Sequence, residues 1–198
     1  MIAFPENLVL EDDRVLLRTL QQEDLEFLLP FAEEEPELWK FSAVSAAGSE
    51  GMSRYIAAAV GEMLLKKEYP LIVFDKEAKA YAGSSRFYDI QLLNSTTQLG
   101  YTWYGKKFQR SGLNRHCKML MLTYAFESWG MERVEFRADA RNARSIQAMK
   151  NIGCTTEGIL RSNMPLSQES GRRDSIVLSI LKNEWLDHVK ANLRKKIL

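Results

Sequence analysis

Apolar positions along the chain change their period several times, and each change marks an element. Arg14 to Leu20 (RVLLRTL) alternates loosely after the acidic turn Glu11-Asp12-Asp13, which predicts a first strand. Thr19 or Gln21 is placed to cap a helix through Phe31, with Leu25, Leu28 and Leu29 on its inner face. Pro36 breaks that pattern. Leu38-Trp39-Lys40-Phe41 follows as an exposed-looking aromatic knot, which either packs a loop onto the core or forms a pocket wall. Helical spacing returns at Tyr55, Ile56, Ala59, Val60, Met63 and Leu64, predicting a helix capped by Ser49 or Ser53 that runs to about Lys67 before Pro70.

Pro70 to Phe74 and Tyr81 to Ile90 read as a hairpin around the turn 75–79, and Asn94-Ser95-Thr96 turns into a third strand, Gln98 to Tyr104. Short polar turns between three neighbours imply an antiparallel meander. A helix from Asn114 to about Ser128 is apolar over most of its circumference and ends at Gly130, so it should be buried against a sheet. Glu132 to Asp139 alternates with period two. Because it is reached by a helical crossover, it should lie parallel to the strand ending at Tyr104. Asn142 caps a short helix ending near Gly153, and two strands, Cys154 to Arg161 and Asp174 to Leu181, precede a terminal amphipathic helix, Trp185 to Leu193. A meander joined to one crossover places the chain in the α/β, α+β mixed-sheet class.

Composition changes little in this picture. With 198 residues, 45% hydrophobic and 27% charged, the chain suits one domain over residues 1–198. A formal charge of +1 gives no overall pull toward nucleic acid or a membrane surface, so any basic patch is local. Cys117 and Cys154 lack metal-ligand spacing and are read as free thiols. Met1 to Pro5 is too short an apolar run for a signal core, and no run reaches spanning length, so a soluble cytoplasmic protein is expected.

Candidate chemistry concentrates in Tyr101 to Trp129. There an aromatic strand ends in Gly105-Lys106-Lys107, and Gln109-Arg110-Ser111-Gly112-Leu113-Asn114 opens the buried helix. The unpaired first-turn amides and positive dipole end of a helix attract anions. Gly112 permits close backbone approach, and Lys106, Lys107, Arg110 and Arg115 add positive charge. An ordinary turn with solvated cations would use the same residues. Gly100 to Lys106 imitates a nucleotide phosphate loop in spacing only: Tyr101, Trp103 and Tyr104 are too bulky, and Lys107 stands where Ser or Thr would hold magnesium.

Gln109-x-x-Gly112-x-Asn114 resembles the acyl-CoA pyrophosphate loop of the GCN5-related N-acetyltransferases (GNAT), whose usual form is Gln/Arg-x-x-Gly-x-Gly/Ala; Asn114 departs from the last small residue. Asn114, Arg115 and Lys118, with Ala125-Phe126-Glu127 downstream, are similar to the ribosomal-protein-N-acetyltransferase-like (RimJ/RimL-type) branch. Arg133-Val134-Glu135-Phe136, Asn142-x-x-Ser145 with Gly153, Glu157-Gly158-Ile159-Leu160-Arg161, Gly171-Arg172-Arg173-Asp174 and Glu184-Trp185 agree with that branch in order and spacing.

The resemblance implies the GNAT acyl-CoA N-acyltransferase fold, a mostly antiparallel sheet splayed at its central parallel pair and flanked by helices. It implies transfer of an acetyl group from acetyl-CoA (coenzyme A) to a primary amine, on a protein N-terminus or a small molecule. Gln109 and the amides of Arg110, Ser111, Gly112, Leu113 and Asn114 would then hold the pyrophosphate, the strand near Trp103 would pair with pantetheine, and Asn142 and Ser145 would contact the cofactor. Many relatives carry a tyrosine acid where this chain has Met149, which cannot donate a proton. Ser145 is therefore expected to face the leaving sulfur, though ordinary helix-terminus chemistry would also explain it. Glu135 is the candidate base, against pairing with Arg133 or Arg137, and Tyr104 and Glu157 are further candidates. His116 and His188 are expected to be packed or on the surface. Trp39, Phe41, Tyr88 and the segment 162–171 are expected around the acceptor. No metal is implied, a homodimer is compatible with the sequence, and Met149 keeps open a non-catalytic acyl-CoA-binding module.

Overall fold

The computed structural model describes residues 4–167 and 169–197. Met1, Ile2 and Ala3 of the N-terminal apolar run, Gln168 of the segment expected at the acceptor, and Leu198 lie outside the described residues. In chain order the elements are β1 (Val9–Glu11), β2 (Val15–Thr19), α1 (Leu25–Glu34), α2 (Gly48–Leu64), β3 (Tyr69–Asp75), β4 (Ala80–Gln91), β5 (Thr96–Tyr104), α3 (Leu113–Thr123), β6 (Arg133–Asp139), α4 (Ala143–Asn151), β7 (Thr155–Pro165) and β8 (Arg172–Leu181). A terminal helical run over residues 182–194 closes the chain.

The strands form one eight-stranded sheet in the order β1-β2-β3-β4-β5-β6-β8-β7. Every neighbouring pair is antiparallel except β5–β6, so the meander and the crossover predicted from periodicity both form. The parallel pairing is short. It joins Thr96 to Arg133, Thr97 to Val134 and Gln98 to Glu135, then stops. Beyond Gln98, β5 stays with β4 as far as Tyr104, while β6 stays with β8 as far as Asp139, so the sheet opens into two arms. At the start of the opening, β5 carries a bulge: the β4–β5 register skips a residue between Ser84 and Arg86, and Tyr101 takes φ +47°. A bulge twists its strand and turns backbone groups away from the ladder, which here frees the edge of β5 on the side of the gap.

The core explains which predicted faces held. In α1 the buried residues are Leu28, Phe31 and Ala32, whereas Leu25 and Leu29 are only half-buried. The chain enters α1 through a turn at Gln22–Asp24 in which the Asp24 carboxylate accepts from the Gln21 amide at 2.8 Å; Thr19 instead lies in β2 and its hydroxyl accepts from the Leu8 amide. The helix α2 starts after Ala47 rather than at a serine cap, and its last residue, Leu64, is exposed because Lys66 at φ +57° turns the chain off the core. The aromatic knot is not exposed at its centre: Trp39 is fully buried, with its ring 4.9 Å from Trp103. Burying such a side chain contributes about 2–3 kcal/mol by area alone. The edge strand β1 has no alternating pattern that would have announced it. Both cysteines are buried free thiols. Among the described residues no helix is long and apolar enough to cross a membrane.

Candidate active site

A cavity of about 1380 Å³ occupies the opening between the two arms. Its first wall is the end of β5 and the loop into α3. Arg110 and Gly112 both take positive φ, +63° and +90°, a curled backbone that points successive N–H groups into one concavity. Among the described residues the backbone N–H groups of Arg110, Ser111 and Gly112 make no hydrogen bond, and the first turn of α3 begins directly after them. Side chains hold this curl in place: the Ser111 hydroxyl donates to the Phe108 carbonyl at 2.7 Å and accepts from the Leu113 amide at 3.4 Å. Tyr104 donates to Asn114 Oδ1 at 3.2 Å, so the departure from a small residue at 114 ties α3 to the end of β5. Arg110, Arg115 and Arg144 line the cavity here, and among the described residues none lies within 4 Å of a carboxylate.

The second wall is β6, the start of α4 and part of β8, and its charges are largely spent on each other. Glu135 accepts from Arg133 at 2.8 Å and Arg137 at 2.7 Å. Glu157 is bound by Arg133 and by the Ser179 hydroxyl, and the Arg133 contact holds its carboxyl below the usual range. Asp139 is buried and clasped by Arg141 at 3.0 and 2.8 Å. Asn142 caps α4 by accepting from the Ser145 amide at 3.1 Å, leaving the Ser145 side chain half-buried at the cavity edge.

Of the residues singled out from the sequence, Trp103, Tyr104, Gln109, Arg110, Gly112, Asn114, Asn142 and Ser145 line this cavity. Ser111, Leu113 and Glu135 are not among its lining residues: Leu113 is fully buried, and Glu135 faces its two arginines on the sheet. The side chain of Gln109 is fully engaged, donating to the Tyr104 carbonyl at 2.8 Å and accepting from Arg144 at 2.6 Å. Burial pushes the Tyr104 phenol well above its ordinary value, so it stays protonated. His116 bonds Asp12 at 2.8 Å away from the cavity, and His188 is exposed on the terminal helix. Trp39, Phe41, Tyr88, Met149 and Met164 also line the cavity.

Sequence reasoning did not assign roles to two cavity residues, Lys118 and Asp89. Lys118 is buried, its Nζ donating to Ser85 Oγ at 2.9 Å and Thr102 Oγ1 at 2.7 Å, and desolvation lowers its pKa to about 7. A lysine inside an apolar helix circumference was the available signal. Asp89 accepts from Gln91 and from Gln98, each at 2.7 Å, beside the last β5–β6 pair. Only the register skip in β4 places it there.

The sequence profile of the Acetyltransferase (GNAT) domain family matches residues 14–155, which include the first wall and most of the second. The chain belongs to the GNAT acetyltransferase family. The N-acetyltransferase p20 of Bacillus licheniformis is 24% identical over 177 residues, covering 87% of this chain and 96% of that relative. A solved structure of an acetyltransferase from T. thermophilus, described there as putative, is 30% identical with a TM-score of 0.87 and covers 100% of both chains. The ribosomal-protein-S5-alanine acetyltransferase of Vibrio fischeri shares the fold, with a TM-score of 0.72 and 17% identity over 90% of this chain and 98% of that one. GNAT membership agrees with the splayed mixed sheet and supports acyl transfer in general.

Proposed function

We propose that this chain moves an acetyl group from acetyl-CoA to a primary amine by direct attack inside the splayed cavity, the acceptor being a protein N-terminus or a small amine. One observation carries this reading: the β5–β6 ladder stops at Gln98 and Glu135 and opens onto a cavity that ends at the curled, cation-ringed start of α3. That site fits a pyrophosphate, since free amides and unneutralised cations are what a diphosphate needs. The unpaired edge of β5 from Leu99 to Tyr104 fits the amides of pantetheine. Acetyl-CoA supplies the activated acyl group; the chain binds it, orients the amine and handles protons.

An acceptor amine arrives protonated, with a reference pKa of about 8 for an α-amine and about 10.4 for lysine, so it must lose a proton before attack. Among the cavity-lining carboxylates, Asp139 is taken by Arg141, whereas Asp89 has no cationic partner among the described residues and lies at the apex of the opening. We assign the proton to Asp89 in preference to Glu135. Ser145 donates its hydroxyl to the departing sulfur, and Tyr104, held protonated, keeps the α3 wall closed against β5.

The test is release of free thiol from acetyl-CoA against a panel of amines and peptide N-termini, alongside calorimetric binding of acetyl-CoA. Turnover with at least one amine is expected. Binding without turnover on any acceptor would favour a non-catalytic acyl-CoA module, a reading that Met149 on the cavity wall supports. Asp89→Asn should slow turnover more than Glu135→Gln does; the opposite order would return the base to Glu135.

A further inference from the structure

Of the two cavity-lining arginines on β6 and β8, Arg137 is paired with Glu135 and Arg173 is not. Arg173 on β8 is 8% exposed and lines the cavity. Its Nε donates to Ser175 Oγ at 3.0 Å, and this is its one hydrogen bond among the described residues. Asp139, the carboxylate whose charge it feels, is already clasped through both oxygens by Arg141. Among the described residues no carboxylate lies within 4 Å of Arg173. A guanidinium shielded from bulk water without a counter-charge is costly, and a ligand that brings an anion to its free amino groups removes that cost.

Two phenols share this corner. Tyr88 and Tyr101 pack edge to face at 5.1 Å between centroids, and both line the cavity. Neither hydroxyl makes a hydrogen bond among the described residues; both rings line the same cavity as Arg173, and the Arg86 guanidinium lies 4.2 Å over the Tyr101 ring. Backbone geometry puts the Tyr88 ring there. A Cβ on Gly100 would meet Tyr88 Cε1 at 2.8 Å, so glycine at this position lets the phenol lie across β5 where the gap begins. Arg137, already paired with Glu135, lines the cavity as well, and Asp89 lies one residue beyond Tyr88. Donors and positive charge thus stand beside a carboxylate, a complement to a molecule that carries an ammonium and an anion a few bonds apart.

We propose that Arg173, with the hydroxyls of Tyr88 and Tyr101, forms an acceptor subsite for a carboxylate, so that the acceptor is an amine bearing a nearby carboxylate. This rests on the acetyltransferase reading and narrows its substrate class. A planar carboxylate matches the guanidinium fork, whereas an acceptor without an anion leaves Arg173 unpaired and a polycationic amine meets repulsion from it. The carboxylate has two sources, a free amino acid or an acidic side chain next to a peptide N-terminus.

The experiment compares matched acceptors by thiol release: β-alanine against β-alaninamide, and an N-terminal Gly-Asp peptide amide against its Gly-Asn counterpart. The wild type is expected to favour the carboxylate member of at least one pair in kcat/KM by about tenfold to a hundredfold, as for a hydrogen bond to a charged group. Whichever pair shows the preference identifies the source. Arg173→Gln should bring that ratio close to one, chiefly by raising KM for the carboxylate member, with calorimetric affinity for acetyl-CoA unchanged. Arg173→Lys keeps the charge without the fork and should restore part of the preference. Equal rates within both pairs, or a loss in Arg173→Gln that is the same for both members, would overturn the subsite while leaving the acetyltransferase reading intact. Failure to bind acetyl-CoA, or binding with no turnover of any acceptor, would overturn both.

Discussion

The two walls of the cavity use the same residue types to opposite ends. Around the start of α3, Arg110 and Arg115 line the cavity without a carboxylate among the described residues, as does Arg144 from α4, beside backbone amides left open by positive φ at Arg110 and Gly112. On β6 and its neighbours, Arg133, Arg137 and Arg141 are bound to Glu135, Glu157, Asp139 and Glu169 in ladders that leave little charge to offer a ligand. A paired cation is architecture, whereas an unpaired one at a cavity waits for an anion. By that criterion the first wall is the end proposed for the phosphates, and Arg173 is the residue proposed to give the second wall a binding role. Lys118 belongs to neither group: it is buried under the cavity and solvated by two hydroxyls.

The largest effect that would break this contrast is expected at Gly112. A β-branched side chain at φ +90° is strained, so Gly112→Val should displace the loop and weaken acetyl-CoA binding about a hundredfold, the loss of one or two hydrogen bonds to a charged group. Unaltered affinity by calorimetry would remove the phosphates from this wall. Next, Ser145→Ala should lower kcat about tenfold with little change in acetyl-CoA affinity, the worth of one hydrogen bond to a charged sulfur. A fall in affinity with kcat intact would reduce Ser145 to a cofactor contact.

Lys118 gives a pH test. The unfolded chain holds this proton to about pH 10.4, and the folded chain releases it near 7. Between those values the unfolded state binds more protons, so stability rises with pH by about 1.4 kcal/mol per pH unit from this residue. Below pH 7 both states hold the proton and the dependence ends. Denaturant unfolding of the wild type and Lys118→Met from pH 7 to 10 should therefore diverge, the variant showing the flatter profile; parallel profiles would mean that the buried amine is not desolvated. The smallest effect is expected for Glu135→Gln, with kcat within about twofold and stability lower by about 1 kcal/mol, as for a partly exposed ion pair. A large loss of kcat without loss of stability would show the second wall to be chemistry rather than support.

Much of this was legible before folding. Period two in Glu132 to Asp139 and helical period after Asn114 placed the crossover, and Gly112 marked the curled loop that opens α3, because local spacing and glycine preference act within a few residues. The pairing of Glu135 was legible as well, since alternation puts it on one face with Arg133 and Arg137; that Arg133 also binds Glu157 was not, because the two are brought together only by the sheet. Trp39 looked exposed because a loop has no periodicity from which burial can be read, whereas packing against Trp103 and Tyr55 decides it.

The chain by itself determined the element order, the meander, the parallel crossover and the strand-loop-helix of the cavity's first wall, since each follows from side-chain spacing and backbone preference between near neighbours. Tertiary structure decided where the β5–β6 ladder stops, which charges are cancelled and which are left to a ligand. Those outcomes depend on contacts between residues far apart in sequence: Tyr88 over Gly100, Arg133 binding Glu157, and Lys118 reaching Ser85. Hydrogen-bond and ion-pair partners have no local signature, because what a charge does is set by what lies within a few ångströms of it in space.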